Sequence, residues 1–192
     1  AQALWKQKGG WRKMKLKEVL KPALILCVIC LLATAALAGT NMLTADTIAQ
    51  QKVITEQESR KQVLPDADSF EEADGYAIGK TGSDVAGYVF VTSAKGYGGD
   101  VQVMTGINAE GQVTGVVILE QNETPGLGAN AEKESFRDQF KQATPENGFT
   151  VTKSTAKDGE ISAMTGATIT TTAVTNAVNE AVAQYHEIKE GA

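Results

Sequence analysis

The sequence predicts an α+β protein in which a single N-terminal transmembrane helix precedes a compact domain with an antiparallel sheet and flanking helices. Three observations carry this reading. No charged residue occurs from Pro22 to Ala45, short β-branched segments follow one another through the middle of the chain, and the closing stretch repeats Ala and Val at helical spacing. The 192 residues divide into a basic terminus (1–21), a membrane span (22–45), a stalk or packing helix with its linker (46–69) and the domain (70–192).

The span comes first. Ala23 to Leu43 is 21 residues long and as a helix covers roughly 31 Å at about 1.5 Å per residue, matching a hydrocarbon core of about 30 Å. A cleaved secretory signal is the rival, because Ala36-Leu37-Ala38 resembles a small-residue cleavage site. The apolar run is longer than a usual signal core, which favours an anchor in the lipid bilayer. Residues 1–21 carry seven basic side chains, from Lys6 to Lys21, against the single acid Glu18, whereas the remainder holds 11 basic and 22 acidic residues. Basic flanks stay in the cytoplasm, so the N-terminus is expected to be cytoplasmic and the domain extracytoplasmic. A net-acidic domain without a Lys/Arg cluster is a poor nucleic-acid binder, so no nucleic-acid partner is expected. Residues 1–13, which precede Met14, read as an upstream extension or an added non-native segment.

Beyond the span, Thr47 to Leu64 carries Ile48, Val53, Ile54, Val63 and Leu64 in a charged context, the pattern of a helix leading away from the bilayer. Pro65 stops it. The domain begins at Phe70 to Tyr76. Gly87–Ser93, Val101–Gly106 and Val113–Leu119 read as strands of one antiparallel sheet, separated by Gly-containing turns. Ala131–Gln142 is expected to be a helix with Phe136 and Phe140 on one face, Phe149–Lys153 a further strand, and Lys157-Asp158-Gly159 a turn. The closing helix should run from about Thr170 to Ile188, with Ala173, Val174, Ala177, Val178, Ala181, Val182 and Tyr185 on its buried face. A domain of this size can bury one hydrophobic core.

Composition removes several chemistries. The two cysteines, Cys27 and Cys30, lie in the span and share a helix face, where they read as lipid-facing or packing side chains, the alternative being two sulfurs presented as ligands to a neighbouring subunit. The domain therefore has no thiol for a disulfide, an iron–sulfur cluster or a zinc site. Its one histidine, His186, is expected to face solvent near the polar end of the last helix. No nucleophile–histidine pair and no nucleotide-binding Gly-rich loop are evident, and the carboxylates read as solvating side chains. No hydrolytic site is expected.

Thr165-Gly166-Ala167-Thr168 places hydroxyls at or near the start of the closing helix. There the backbone N–H groups lack intrahelical partners and the helix dipole is positive, which suits a phosphate; a plain helix cap would use the same residues. In Glu123-Thr124-Pro125-Gly126-Leu127-Gly128, Pro125 fixes φ while the glycines let main-chain N–H groups approach a flat ring or a phosphate. A tight strand-to-helix turn is the plainer use of that loop.

With the hairpin entry Lys95-Gly96-Tyr97-Gly98-Gly99, these segments resemble the flavin-attachment family that comprises the G subunit of Rnf complexes and the C subunit of Nqr complexes, from about Gly87 to about Val182. The resemblance implies FMN joined covalently, through a phosphoester, to Thr168. It further implies that Thr165, Gly166 and Ala167 shape the phosphate end, while Glu123, Thr124, Gly126, Leu127 and Gly128 belong to the ring pocket. A flavin transferase would load the site. One departure is Ser162, where the family usually has an Asp that matters for the transferase; Asp158 and Glu160 are the nearby carboxylates. The family role is an electron relay in a redox-driven ion translocase: in Rnf complexes between ferredoxin and NAD, in Nqr complexes from NADH to quinone. The length of this chain is nearer that of the Rnf member. The Nqr member, or a non-redox single-span protein with an extracytoplasmic binding domain, are the alternatives. Because ferredoxin and NAD are cytoplasmic, the relay also implies membrane partners with their own redox centres.

Overall fold

A computed structural model describes residues 16–191, so the basic terminus lies largely, and the extension of 1–13 wholly, outside the described residues. The chain forms two units, residues 1–51 and 52–192. Within the first, helix α1 (Leu16–Val63, continuing into the second unit) is long and apolar enough to cross a membrane. The expected span and the expected stalk are turns of this one helix. Its large side chains from Leu24 to Leu43 are exposed, as are Cys27 and Cys30. Thr34, Thr40 and Thr44 donate their hydroxyls to the carbonyls of Cys30, Ala36 and Thr40 at 2.8, 2.8 and 3.0 Å. A polar group satisfied within its own helix needs no water, which is what a lipid environment demands.

The second unit is built on a five-stranded antiparallel meander: β1 (Ser69–Glu72), β2 (Tyr76–Thr81), β3 (Asp84–Lys95), β4 (Asp100–Asn108) and β5 (Val113–Glu120), in that spatial order. Three of these occupy the predicted segments. The sequence does not predict β1 and β2 as strands; β2, Tyr-Ala-Ile-Gly-Lys-Thr, is short and carries a glycine near its centre. Helix α3 (Thr168–Glu190) covers one face with the predicted stripe from Ala173 to Tyr185, packed on Phe90, Val103, Ile107 and Val116. It begins two residues before the predicted Thr170. Val63 and Leu64, the end of α1 and the residue after it, pack on the other face with Ala77, Val89 and Met104.

Two expectations are corrected. Ala131–Gln142 is not one helix: 3-10 turns at Gly128–Glu132 and Asp138–Phe140 flank the single turn α2 (Glu134–Arg137). Arg137 donates to the Val116 carbonyl at 3.0 Å and Val113 donates to the Gln142 carbonyl at 3.0 Å, so the segment follows the edge strand rather than an axis of its own. Phe136 and Phe140 are nonetheless both buried, with ring centroids 5.7 Å apart. His186 is half-buried, its ring 5.6 Å from that of Tyr185, because Tyr185 turns into the core and draws its neighbour to the flank of the helix. The strand predicted near Phe149 forms as β6 (Thr150–Thr152). It pairs in parallel with β7 (Glu160–Ser162), outside the main sheet.

Candidate functional site

Two turns of the same design meet at the start of α3. In Thr124-Pro125-Gly126-Leu127 the Leu127 N–H donates to the Thr124 carbonyl at 3.1 Å, with Gly126 at φ 79°. In Met164-Thr165-Gly166-Ala167 the Ala167 N–H donates to the Met164 carbonyl at 3.0 Å, with Gly166 at φ 76°. A positive φ at the third position is the type II turn, which proline at the second position favours. The turns touch: a Cβ on Gly166 would lie 3.1 Å from Leu127 Cδ2.

The second turn delivers Thr168 as the first residue of α3. Ala167 is the N-cap and supplies no side-chain hydrogen bond. Thr171 does the local work instead, accepting from the Met164 N–H at 3.1 Å and donating to the Ala167 carbonyl at 3.0 Å. The Thr168 hydroxyl is exposed and makes no hydrogen bond among the described residues. The plain capping role therefore does not fall to Thr168. The first turn of α3 contains no acidic side chain, and the first helical N–H bond is made by Thr171 to Ala167. The N–H groups of residues 168–170 are thus available to an anion.

Glu123 binds three segments together. It is 6 % exposed, and Oε1 accepts from the N–H groups of Tyr97 and Gly98 at 2.8 and 3.0 Å, while Oε2 accepts from the Thr170 hydroxyl at 2.5 Å. Glycines close around it, since a Cβ on Gly96 or Gly128 would overlap the carboxylate. Burial pushes its pKa up, but the three donors outweigh burial and hold it below the usual carboxylate value. The expectation that the carboxylates merely solvate the surface fails here. Glutamate is buried only where donors replace its water, and those donors come from residues distant in sequence.

Between these parts lies an open cavity of about 540 Å³, lined by Tyr97, Glu123, Thr124, Leu127, Gly128, Gly166, Ala167, Thr168, Ile169 and Thr170. Most of the predicted site residues therefore converge. Thr165 and Gly126 do not line it; they form the turns that present their neighbours. The sequence does not single out Tyr97, Ile169 and Thr170 as site residues, although Tyr97 lies in the glycine-rich hairpin entry. Ser162, Asp158 and Glu160 stand apart from the cavity. The Ser162 hydroxyl donates to the Ser154 carbonyl at 3.1 Å and its N–H to Gln139 at 2.7 Å, so it ties down the loop before β7.

Residues 96–183 match the family model of the FMN-binding domain, and residues 14–63 that of the RnfG N-terminal region. The chain is 40 % identical over 197 aligned residues to the G subunit of the Na(+)-translocating ferredoxin:NAD(+) oxidoreductase complex of Acetobacterium woodii, covering 91 % of this chain and 95 % of that one. It is 39 % identical to the G subunit of the proton-translocating ferredoxin:NAD(+) oxidoreductase complex of Clostridium ljungdahlii, covering 83 % and 87 %. Among solved structures it is similar to NqrC of Shewanella oneidensis, at 21 % identity and a TM-score of 0.49 over 60 % of this chain and 63 % of that one.

Proposed function

This chain belongs to the RnfG family of ion-translocating oxidoreductase components, and from that premise we propose that it is the membrane-anchored flavin electron carrier of such a complex, with FMN joined to Thr168 through a phosphoester. One observation carries the assignment to Thr168: its hydroxyl is exposed at the wall of the cavity, beside unpartnered N–H groups, with no structural duty of its own.

The residues present fit the group. The cavity volume lies within the roughly 300–1,000 Å³ of small-molecule and cofactor sites. Its phosphate end would be the first turn of α3, where backbone donors replace the cationic side chains the lining lacks. Gly166 leaves the approach to Thr168 open, and Leu127, Gly128 and Tyr97 would border the ring. FMN, when bound, supplies electron transfer that no side chain here provides. Tyr97, Leu127 and Ile169 are 73, 44 and 55 % exposed, so the cavity wall stays within reach of another protein of the complex. A covalent tether suits that openness, because retention no longer depends on enclosing the cofactor.

A flavin transferase installs the tether, reading an attachment segment that carries Ser162 in place of the usual Asp. The basic residues of 1–21 favour a cytoplasmic N-terminus, with the FMN domain on the opposite side. Electrons from cytoplasmic ferredoxin must then cross the bilayer to reach this domain. That path belongs to membrane partners with redox centres of their own.

The test is direct. Chain produced in transferase-competent cells and run on a denaturing gel should fluoresce under ultraviolet light and show one added nucleotide mass. Thr168→Ala should remove both signals and Thr165→Ala should retain them. Loss only on replacing Thr165 would move the attachment, and a bare polypeptide mass from native membranes would overturn the covalent reading.

A further inference from the structure

We propose that the buried Glu123 carboxylate, as a fixed negative charge in the cavity wall, holds the midpoint potential of the cavity's flavin below the value it would have without this anion. The inference rests on the reading of the cavity as an FMN site. Glu123 is the one side chain lining the cavity that carries a formal charge as Asp, Glu, Lys or Arg among the described residues. Neither of its oxygens can swing away: Tyr97 and Gly98 hold one, Thr170 holds the other, and Gly96 and Gly128 fill the space behind.

A fixed anion in a partly desolvated wall acts on charge placed beside it more strongly than the same anion in water. Electrons delivered by a redox partner of the complex, and later returned to one, put negative charge into the cavity wherever protons do not accompany them. Glu123 neither gives nor takes an electron. It raises the free energy of the reduced form relative to the oxidised form, which lowers the potential. The Thr170 hydroxyl, with its proton directed at Oε2, offsets part of that field.

A latch with no electrostatic role would also tie the loops to α3, and sign separates the two. Glu123→Gln removes the charge at nearly constant size, so the potential should rise. Thr170→Val keeps the charge and the shape but removes the compensating hydroxyl, so the potential should fall. Simple loosening of the cavity would move both variants the same way.

The experiment is a spectroelectrochemical titration of the full chain in detergent at pH 7, after intact-mass measurement of its flavin content. A rise in Glu123→Gln with a fall in Thr170→Val supports the proposal; any other pair of results, including a shift in one variant only, overturns it. Should Glu123→Gln fail to fold, Thr170→Val decides alone: a lowered potential supports, an unchanged or raised one overturns. A wild-type chain without nucleotide mass sinks the covalent reading separately, and the same titration is then made on chain reconstituted with free FMN.

Discussion

On the face of the sheet that meets α3, Phe90, Val103, Ile107 and Val116 fill space against a helix of small residues; on the opposite face, Gly106 and Gly115 leave space for the end of α1, and Gly79 and Gly87 for Leu64 just after it. These glycines lie in facing pairs, Gly79 with Gly87 and Gly106 with Gly115. Backbone enters the track they leave: a Cβ on Gly115 would lie 2.8 Å from Val63 Cα, and one on Gly106 would overlap the Val63 carbonyl, which also accepts the Thr114 hydroxyl. Leu64 continues across Gly87 and Gly79. The α3 face is held by apolar volume, whereas the α1 face joins a smaller apolar cluster of Val63, Leu64, Ala77, Val89 and Met104 to a track that only glycine leaves open. The difference predicts opposite failure modes, a void on the α3 side and a collision on the α1 side.

The largest effect should come from emptying the first face. Phe90 is fully buried and packs on Tyr76 with ring centroids 5.8 Å apart. Phe90→Ala should cost about 3–5 kcal/mol, as large aromatic truncations in cores do. Hydrogen exchange of the β4 and α3 amides in the detergent-solubilised chain would measure it. A loss below about 1 kcal/mol would mean that α3 does not depend on this packing.

A smaller but more diagnostic effect is expected on the second face. Gly→Ala in extended backbone ordinarily stabilises by roughly 0.4–1 kcal/mol, because alanine restricts the unfolded chain. Gly106→Ala should instead destabilise by about 1–3 kcal/mol through overpacking against Val63. The sign is the test. A neutral or stabilising Gly106→Ala, read by the same exchange measurement, would show that residues near Val63 are not seated in the glycine track.

The same contrast explains what can be read from the chain. The α3 face is legible because Ala173, Val174, Ala177, Val178 and Ala181 repeat at helical spacing, a local signal. The glycine face is not. Gly106 reads as the end of a strand, whereas β4 continues to Asn108, since a glycine signals a turn and a close approach equally well and the approaching backbone is remote in sequence. The helix expected over 131–142 fails for a related reason, because its pattern is right but Arg137 and Gln142 bind it to β5. At the site, the Thr168 segment and the Glu123–Gly128 loop are visible as motifs. The bond between Glu123 and Thr170, 47 residues apart, is not. Nor does the sequence show that Thr171 rather than Thr168 serves the helix start.

The subtlest expected effect concerns how each face is fastened at its edge. Beside α1, Arg60 pairs with Glu56 at 2.9 Å and Glu72 at 2.5 Å, but both carboxylates are more than two-fifths exposed. Such pairs contribute roughly 0–1 kcal/mol and weaken with salt. Beside α3, Glu123 is buried and fastened by neutral donors, so salt should matter little there and acid should matter more. Its folded pKa lies below the unfolded value, about 4.3 for a free glutamate. As pH falls, the unfolded chain therefore takes up this proton first. The stabilisation is complete above the unfolded pKa and is lost as pH falls through the folded one. Exchange at the α3 amides should accordingly show a smaller acid-induced loss of stability in Glu123→Gln than in the wild-type chain, with the difference between the two constant near neutral pH. Equal acid slopes would mean that the Glu123 charge is not what fastens the Tyr97 loop to the start of α3.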